Sequence, residues 1–354
     1  MYRNLIIYYF SGTGNAKAVS EWIANSFTKN AISCQIYEIR KRVTPDTSNV
    51  NDDTLVGFCY PTHGFNAPRI VLNFIAAFPK VAKARFFVLN TRAGMKLWKI
   101  FTPGLSGIAL LLPSLILQFK GYRCAGMRPM DMPSNWISLH PGIRKKVTQS
   151  ISDHCKRVTE RFVQKLLKDK KDSRWIFELP LDLVITPISF LYYFIGRFML
   201  AKTFFASYRC NSCELCIKQC PINAIEMVDS RPYWKFTCES CMHCMNHCNE
   251  RAIETAHGFT FLLWWLAFTF IPLCIVKLLI YFSIVNLQLT GYFGLAYMAI
   301  QIVVGFAIVF YGYKILHFLL RFRVINYLIT YTSLTRLPFW RRYKYVSLKE
   351  KAEN

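Results

Sequence analysis

Acidic residues are scarce in this chain. Asp and Glu total 20 against 44 Lys and Arg in 354 residues, a formal charge of +24. Such an excess suits nucleic acid, an anionic membrane face or an acidic protein partner, or serves solubility alone. No basic patch interleaved with aromatics occurs outside the C-terminal tail, which argues against direct nucleic-acid binding. A Walker loop, G-x4-G-K-[ST], is missing, and so is the dinucleotide fingerprint G-x-G-x-x-G. No cleavable signal peptide is recognisable: MYRNLIIYYFSGTG reads as a short buried strand followed by a glycine turn. No substrate-sized set of acid, base and nucleophile stands out. Charge is nearly absent from two long runs near the C-terminus.

What is present in excess is cysteine, 13 in all, an odd total. Eight of them fall into two combs. Cys210, Cys213, Cys216 and Cys220 follow C-x2-C-x2-C-x3-C, with Pro221 next. Cys238, Cys241, Cys244 and Cys248 repeat the spacing, with Asn249 in place of the proline. Clustering of this kind points to metal ligation in a reducing compartment rather than to a secreted disulfide framework. In each comb three thiolates sit on a tight loop that can wrap one corner of an iron–sulfur cube. The fourth is expected to begin a short helix pointing away and to ligate the other cluster. Cys210, Cys213, Cys216 and Cys248 are thus assigned to one 4Fe–4S cluster, and Cys238, Cys241, Cys244 and Cys220 to the second. Zinc favours two short knuckles around one tetrahedral ion, which this spacing fits poorly. His243 and His247 are expected at exposed loop or helix positions. Cys34, Cys59, Cys124, Cys155 and Cys274 are scattered and read as buried or inert thiols.

The N-terminal stretch LIIYYFSGTGNAKAVSEWIANSF reads as strand, loop and helix. Val19, Trp22, Ile23 and Phe27 recur at helical spacing. The loop Ser11-Gly12-Thr13-Gly14-Asn15, with Ala16 opening the helix, aims backbone N–H groups and hydroxyls at the positive end of a helix dipole. That is a phosphate site.

These residues resemble the FMN phosphate loop of flavodoxins, usually Ser/Thr-x-Thr-Gly-Asn-Thr; Ala16 stands where Thr is common. The order of later segments agrees. Thr54–Tyr60 is a buried-strand run followed by Pro61, Thr62, His63 and Gly64. Ala84–Leu89 is another, followed by an expected loop of Asn90, Thr91, Arg92, Ala93 and Gly94. The resemblance implies that these two loops hold the flavin ring at the carboxyl ends of the strands. His63 would hydrogen-bond the flavin or merely cap its loop. A flavodoxin joined to a two-cluster ferredoxin module resembles the flavodoxin–ferredoxin fusion family over residues 1 to 256.

Gly258–Val285 and Gly291–Leu320 each carry a single charge, Lys277 and Lys314. Each is about 42–45 Å long as a helix, enough to cross a bilayer. Asn286–Thr290 joins them. Arg321, Arg323, Arg336, Arg341, Arg342, Lys344, Lys349 and Lys351 follow, and the positive-inside rule puts that tail in the cytoplasm. Two spans return the chain to the side it started on, so both termini and the cofactor domains are expected on the cytoplasmic side of a multi-pass membrane protein. Gly104–Phe119 and Leu179–Met199 are also apolar. The second is interrupted by Pro180, Asp182, Pro187 and Arg197, and neither is expected to span. Both suit the membrane interface or core packing.

The expected architecture is a flavodoxin-like doubly wound parallel α/β domain over 1–165, closed by the charged linker stretch Lys165–Arg174, and an apolar, interfacial linker over 166–206. A small α+β dicluster ferredoxin domain over 207–256, two transmembrane helices over 257–320 and a basic tail over 321–354 follow. The leading reading is a membrane-anchored electron-transfer protein joining FMN to two 4Fe–4S clusters, with the bilayer and an unidentified redox protein or membrane enzyme as partners. The alternatives are an oxidoreductase acting directly on a quinone or lipid-soluble substrate, with a pocket expected near Lys277 and Gly104–Phe119, and a flavin-free iron–sulfur sensor or assembly subunit.

Overall fold

The computed structural model describes residues 2–41, 44, 50–80, 84–282 and 292–342. Asn286–Thr290 and Lys344, Lys349 and Lys351 lie outside the described residues. The N-terminal half is built on a parallel sheet. Its strands are β1 (Asn4–Tyr9), β2 (Ser33–Glu38), β3 (Thr54–Pro61), β4 (Arg85–Leu97) and β6 (Arg123–Pro133); β5 (Ile100–Thr102) folds back on β4. The parallel order is β2-β1-β3-β4-β6. The central β3 is buried at seven of its eight positions, as a strand covered on both faces must be. The helices α1 (Asn15–Thr28) and α4 (Lys145–Leu167) share a buried cluster on one face; α2 (Arg69–Ala77) and α3 (Leu111–Phe119) share another on the opposite face. Val19, Trp22, Ile23 and Phe27 all point inward from α1. The strand order switches between β1 and β3, which places the loops after both strands beside one crevice.

Asn90–Gly94 is not a loop. It continues β4, paired residue for residue with Pro129–Pro133 of β6. The Lys165–Arg174 stretch is tied to the sheet edge. Gly126 bridges Asp172, whose buried carboxylate accepts from Arg128 and Lys165 at 2.8 Å each.

Three helices are long and apolar enough to cross a membrane: Arg174–Lys202, His257–Tyr281 and Gly294–Leu319. The first corrects the expectation of a broken segment. Pro180 opens its α-helical stretch Leu179–Leu191, after the 3-10 turn Arg174–Glu178, where the missing N–H costs little, and Pro187 lies inside that stretch. Asp182 accepts from the backbone N–H groups of Gly107 (2.7 Å) and Ser106 (3.1 Å). Ser189 donates to the Phe65 carbonyl, and Arg197 pairs with Glu239. These contacts line one side of the helix, the first two along the α/β half and the third on the second comb. The other side exposes Leu181, Val184, Ile188, Leu191 and Phe194. In the second and third helices close packing depends on small residues: a β-carbon at Gly305 would stand 2.4 Å from the Phe268 ring, and one at Gly312 would stand 2.5 Å from Leu263. Lys277 is exposed. Gly104–Phe119 is half core and half surface, with Leu117 buried and Phe119 exposed.

The combs lie between these parts. Ile222, Trp234, Met242 and Ile253 belong to the same buried cluster as Ile6, Phe58 and Val88 of the sheet. The tail folds back on them. Trp340 donates to the Ile137 carbonyl at 2.6 Å, and Arg342 donates to the carbonyls of Met245 and Ile253 at 3.0 Å each. The described tail is therefore at the same end of the two C-terminal apolar helices as the combs and the sheet.

Candidate functional site

The two combs have the same backbone. Ser212 and Glu214 of the first, and Ser240 and Met242 of the second, are left-handed at matching places. Asn223 and Arg251 repeat the match three residues after Cys220 and Cys248. None of the six is glycine. Each such conformation costs on the order of 1 kcal/mol and persists only where the surroundings enforce it. The result is a chain coiled so that successive cysteines face a common centre. The short helices cover Leu215–Lys218 and His243–His247. They precede the fourth cysteine instead of beginning at it, because the coil tightens around the third.

The thiols fall into crossed sets. Burial pushes Cys216 up to about 11, and the thiols that add to the shift are Cys210, Cys248 and Cys213. A cavity is walled by these same four residues, with Met227, Pro232 and Ile253, and Cys244 of the second set also reaches its edge. Burial pushes Cys238 up to about 12, and Cys220 of the other comb adds to it. Burial also raises Cys241 and Cys244, with Cys238 and Cys220 adding to both. The fourth cysteines meet matching donors: Ala224 N–H points at Cys220 Sγ and Ala252 N–H at Cys248 Sγ, each 3.3 Å away. Among the described residues no three His, Cys, Asp or Glu groups close up around a single ion. Two sets of four thiols, ranging from buried Cys238 through half-buried Cys216 and Cys244 to exposed Cys213, on a backbone held left-handed and beside N–H donors, fit the wider ligation of a cluster.

The phosphate-type loop lies against the second comb. Gly14 is left-handed (φ 98°), and its N–H donates to Ser11 Oγ at 3.0 Å. Asn15 Nδ2 donates to the Pro133 carbonyl at 2.9 Å. Thr13, Asn15 and Ala16 are buried. Among the described residues the N–H groups of Gly12, Thr13 and Ala16 meet no backbone acceptor. Buried donors at the start of a 14-residue helix fit an anion. Overhead, His243 Nδ1–H donates to the Gly12 carbonyl at 2.7 Å. His243 and His247 stack at 4.0 Å and are half-buried, correcting the expectation of exposed positions.

Beside the loop a cavity gathers Asn15, Pro61, Thr62, His63, Thr91, Arg92 and Ala93 from the expected set. His63 Nδ1 is sealed off without a partner, and burial lowers its pKa to about 4. Of the two expected ring loops, three residues stand outside it. Gly64 is packed on the Tyr192 ring, Gly94 on the Asp131 carbonyl, and Asn90 lies behind, donating to Thr62 Oγ1 at 2.6 Å. Arg92 is committed to Asp131 (2.7 Å) and Glu178, with its side chain 2% exposed. It fastens β4 and β6 to helix Arg174–Lys202. Sequence reasoning missed the third wall, Pro133–Trp136 after β6, and the roof, Ser240–Met242. The first follows from the rule that strand carboxyl ends bind ligand; no sequence signal marks the second. Trp136 Nε1 is another buried donor without a partner. Unsatisfied His63 and Trp136 on either side suit a flat, polar-edged ring. Cys59 and Cys155 are buried, which pushes each up to about 12; Cys274 is exposed.

No protein-family model matches the chain, and no curated protein does. Among solved structures it is similar to a Streptococcus pneumoniae TIGR4 flavodoxin (12% identity, TM-score 0.33, covering 47% of this chain and 98% of that one). It is also similar to oxidised flavodoxin 1 from Bacillus cereus (14%, 0.34, 47% and 97%). The flavodiiron protein of Giardia intestinalis is a further likeness (10%, 0.27, 48% and 38%). The strand order, switch point and loop placement are what define the architecture: the N-terminal half has a flavodoxin-like parallel-sheet fold.

Proposed function

We propose that this chain is a membrane-anchored electron-transfer protein joining one FMN to two 4Fe–4S clusters. The observation that carries the reading is the contact of the phosphate-type loop with the second comb, where the Gly12 carbonyl accepts from His243 and the Cys241 backbone roofs the cavity. When bound, FMN exchanges one or two electrons and each cubane one. Gly12, Thr13 and Ala16 would supply N–H groups to the phosphate, and His63 and Trp136 would meet the polar edge of the ring. Met227, Pro232 and Ile253 would limit water at the thiolates.

Helices His257–Tyr281 and Gly294–Leu319 cross the bilayer in this reading. Helix Arg174–Lys202 lies in the interface, since its buried Asp182 and Ser189 bind the α/β half and its buried Arg197 binds Glu239 of the second comb. A crossing helix has no aqueous body beside it. The basic tail puts the cofactor domains on the cytoplasmic side.

Anaerobic purification in detergent, with iron, sulfide and flavin measured per chain, tests the reading. About eight irons and one FMN are expected. Iron without flavin after adding FMN leaves a sensor or relay; zinc overturns both.

A further inference from the structure

A second cavity opens at the foot of the membrane hairpin, remote from the flavodoxin-like crevice. Its chamber encloses about 600 Å³, within the range of small-molecule sites. One wall is the β-hairpin Ile225–Val228 and Arg231–Trp234; the other is the end of helix Gly294–Leu319, with Lys314, His317 and Phe318. A narrower aromatic slot continues from it between Phe198, Phe236, Phe310 and Tyr313. Lys314, His317 and Tyr233 line both.

The chamber touches both cysteine sets through single residues. Pro232 lines it and also lines the cavity of Cys210, Cys213, Cys216 and Cys248. Lys202, in the slot, donates to the Trp234 carbonyl at 2.6 Å, and Trp234 shares a buried cluster with Cys238; its ammonium also donates to Tyr233 Oη at 2.7 Å. The polar groups suit a ligand with oxygens at its head. Glu226 is paired with Lys235 (2.7 Å) and Asp229 with Arg321 (3.1 Å). Lys314 rests over the Phe310 ring, 4.7 Å from its centroid, with no carboxylate partner among the described residues. His317 Nε2–H donates to the Lys202 carbonyl at 3.0 Å. The mouth is amphipathic and lies where the helix leaves its apolar stretch for Arg321, Arg323 and the tail, the level at which membrane-dissolved amphiphiles present their heads.

We infer that this chamber binds a quinone-class compound, a planar ring with two carbonyl oxygens and an apolar tail, drawn from the membrane. The inference deepens the electron-transfer reading and rests on it for its chemistry. The ring enters the aromatic slot, Lys314 and Tyr233 donate to the carbonyl oxygens, and the tail leaves past Phe318. Reduction takes two electrons, delivered singly by the reduced iron–sulfur centres, and two protons from water in the open chamber; both C=O groups become C–OH.

The test uses the full chain in detergent. A short-chain benzoquinone carrying a photoreactive azide is cross-linked and mapped by mass spectrometry, and its affinity is measured by tryptophan fluorescence. Label is expected in 226–236 and 310–321. Lys314→Met and the chamber-filling Val228→Trp are each expected to weaken binding about tenfold or more, with thermal unfolding unchanged. Val228 is 40% exposed, so its variant tests the site even if Lys314→Met fails to fold. Labelling elsewhere, or affinity untouched in Val228→Trp, overturns the inference. So does displacement by anionic phospholipid with no measurable quinone binding, which makes the chamber a headgroup site. Binding is read with and without bound iron and flavin. Expected cofactors without quinone binding sink this inference alone; quinone binding without cofactors leaves the site and sinks the electron-transfer reading.

Discussion

Gly12 and Cys241 are in backbone contact across two parts of the chain: a β-carbon at position 12 would stand 2.0 Å from the Cys241 carbonyl oxygen. Nothing larger than hydrogen fits there. Gly12→Ala is expected to push the comb off the loop, lowering stability by about 1–3 kcal/mol and weakening FMN binding, as read by thermal unfolding and flavin titration. Unchanged flavin affinity at full stability would show that the contact does not shape the site.

The crossed thiol sets make a pairing prediction. Cys216→Ser and Cys248→Ser lie in different combs, yet each should remove the same cluster and roughly half of the iron. Iron analysis and electron paramagnetic resonance of the reduced variants check this. Different remaining signals in the two variants would refute crossed ligation.

Arg92 is buried between two carboxylates. Its removal leaves two carboxylates, 30% and 31% exposed, without their shared cation, so Arg92→Met should cost about 1–3 kcal/mol. Chemical denaturation measures the loss.

His63 is neutral when folded, with its pKa lowered by burial from 6.5 to about 4. The unfolded chain binds more protons in that window, so stability should fall as pH drops from 6.5 toward 4, by about 2–3 kcal/mol in all. His63→Phe should flatten that part of the stability–pH curve. A slope unchanged by the substitution would assign it to other groups.

Glu254 is fully buried and accepts from Arg209 at 2.6 Å, from Ser333 at 3.3 Å and from Thr335, with Arg342 at 3.8 Å. Glu254→Gln removes the charge that gathers them. Trypsin should then cut at Arg336, Arg341 and Arg342 several-fold faster, as gel or mass analysis would show, because local release exposes the site.

Much of the site could be read locally. The combs are a matter of spacing, and Leu5–Phe10 and Thr54–Tyr60 announce themselves as apolar runs bounded by turn residues. Asn90–Gly94 deceived because Asn, Arg and Gly are poor strand formers, yet pairing with β6 overrides propensity. Arg174–Lys202 deceived because its prolines and charges look like breaks until Gly107, Phe65 and Glu239 satisfy them. The meeting of Gly12 with Cys241 joins residues 229 positions apart, and no local pattern can show that.

The strap of Trp340 and Arg342 closes the apolar hairpin at both ends onto one body. A head on a limp stalk sweeps a hemisphere; a head moored fore and aft does not. In the proposed membrane reading its redox faces would be held at a constant height and heading over the bilayer. An integral partner would then have only two dimensions to search, and each lateral collision would meet the same side of the protein.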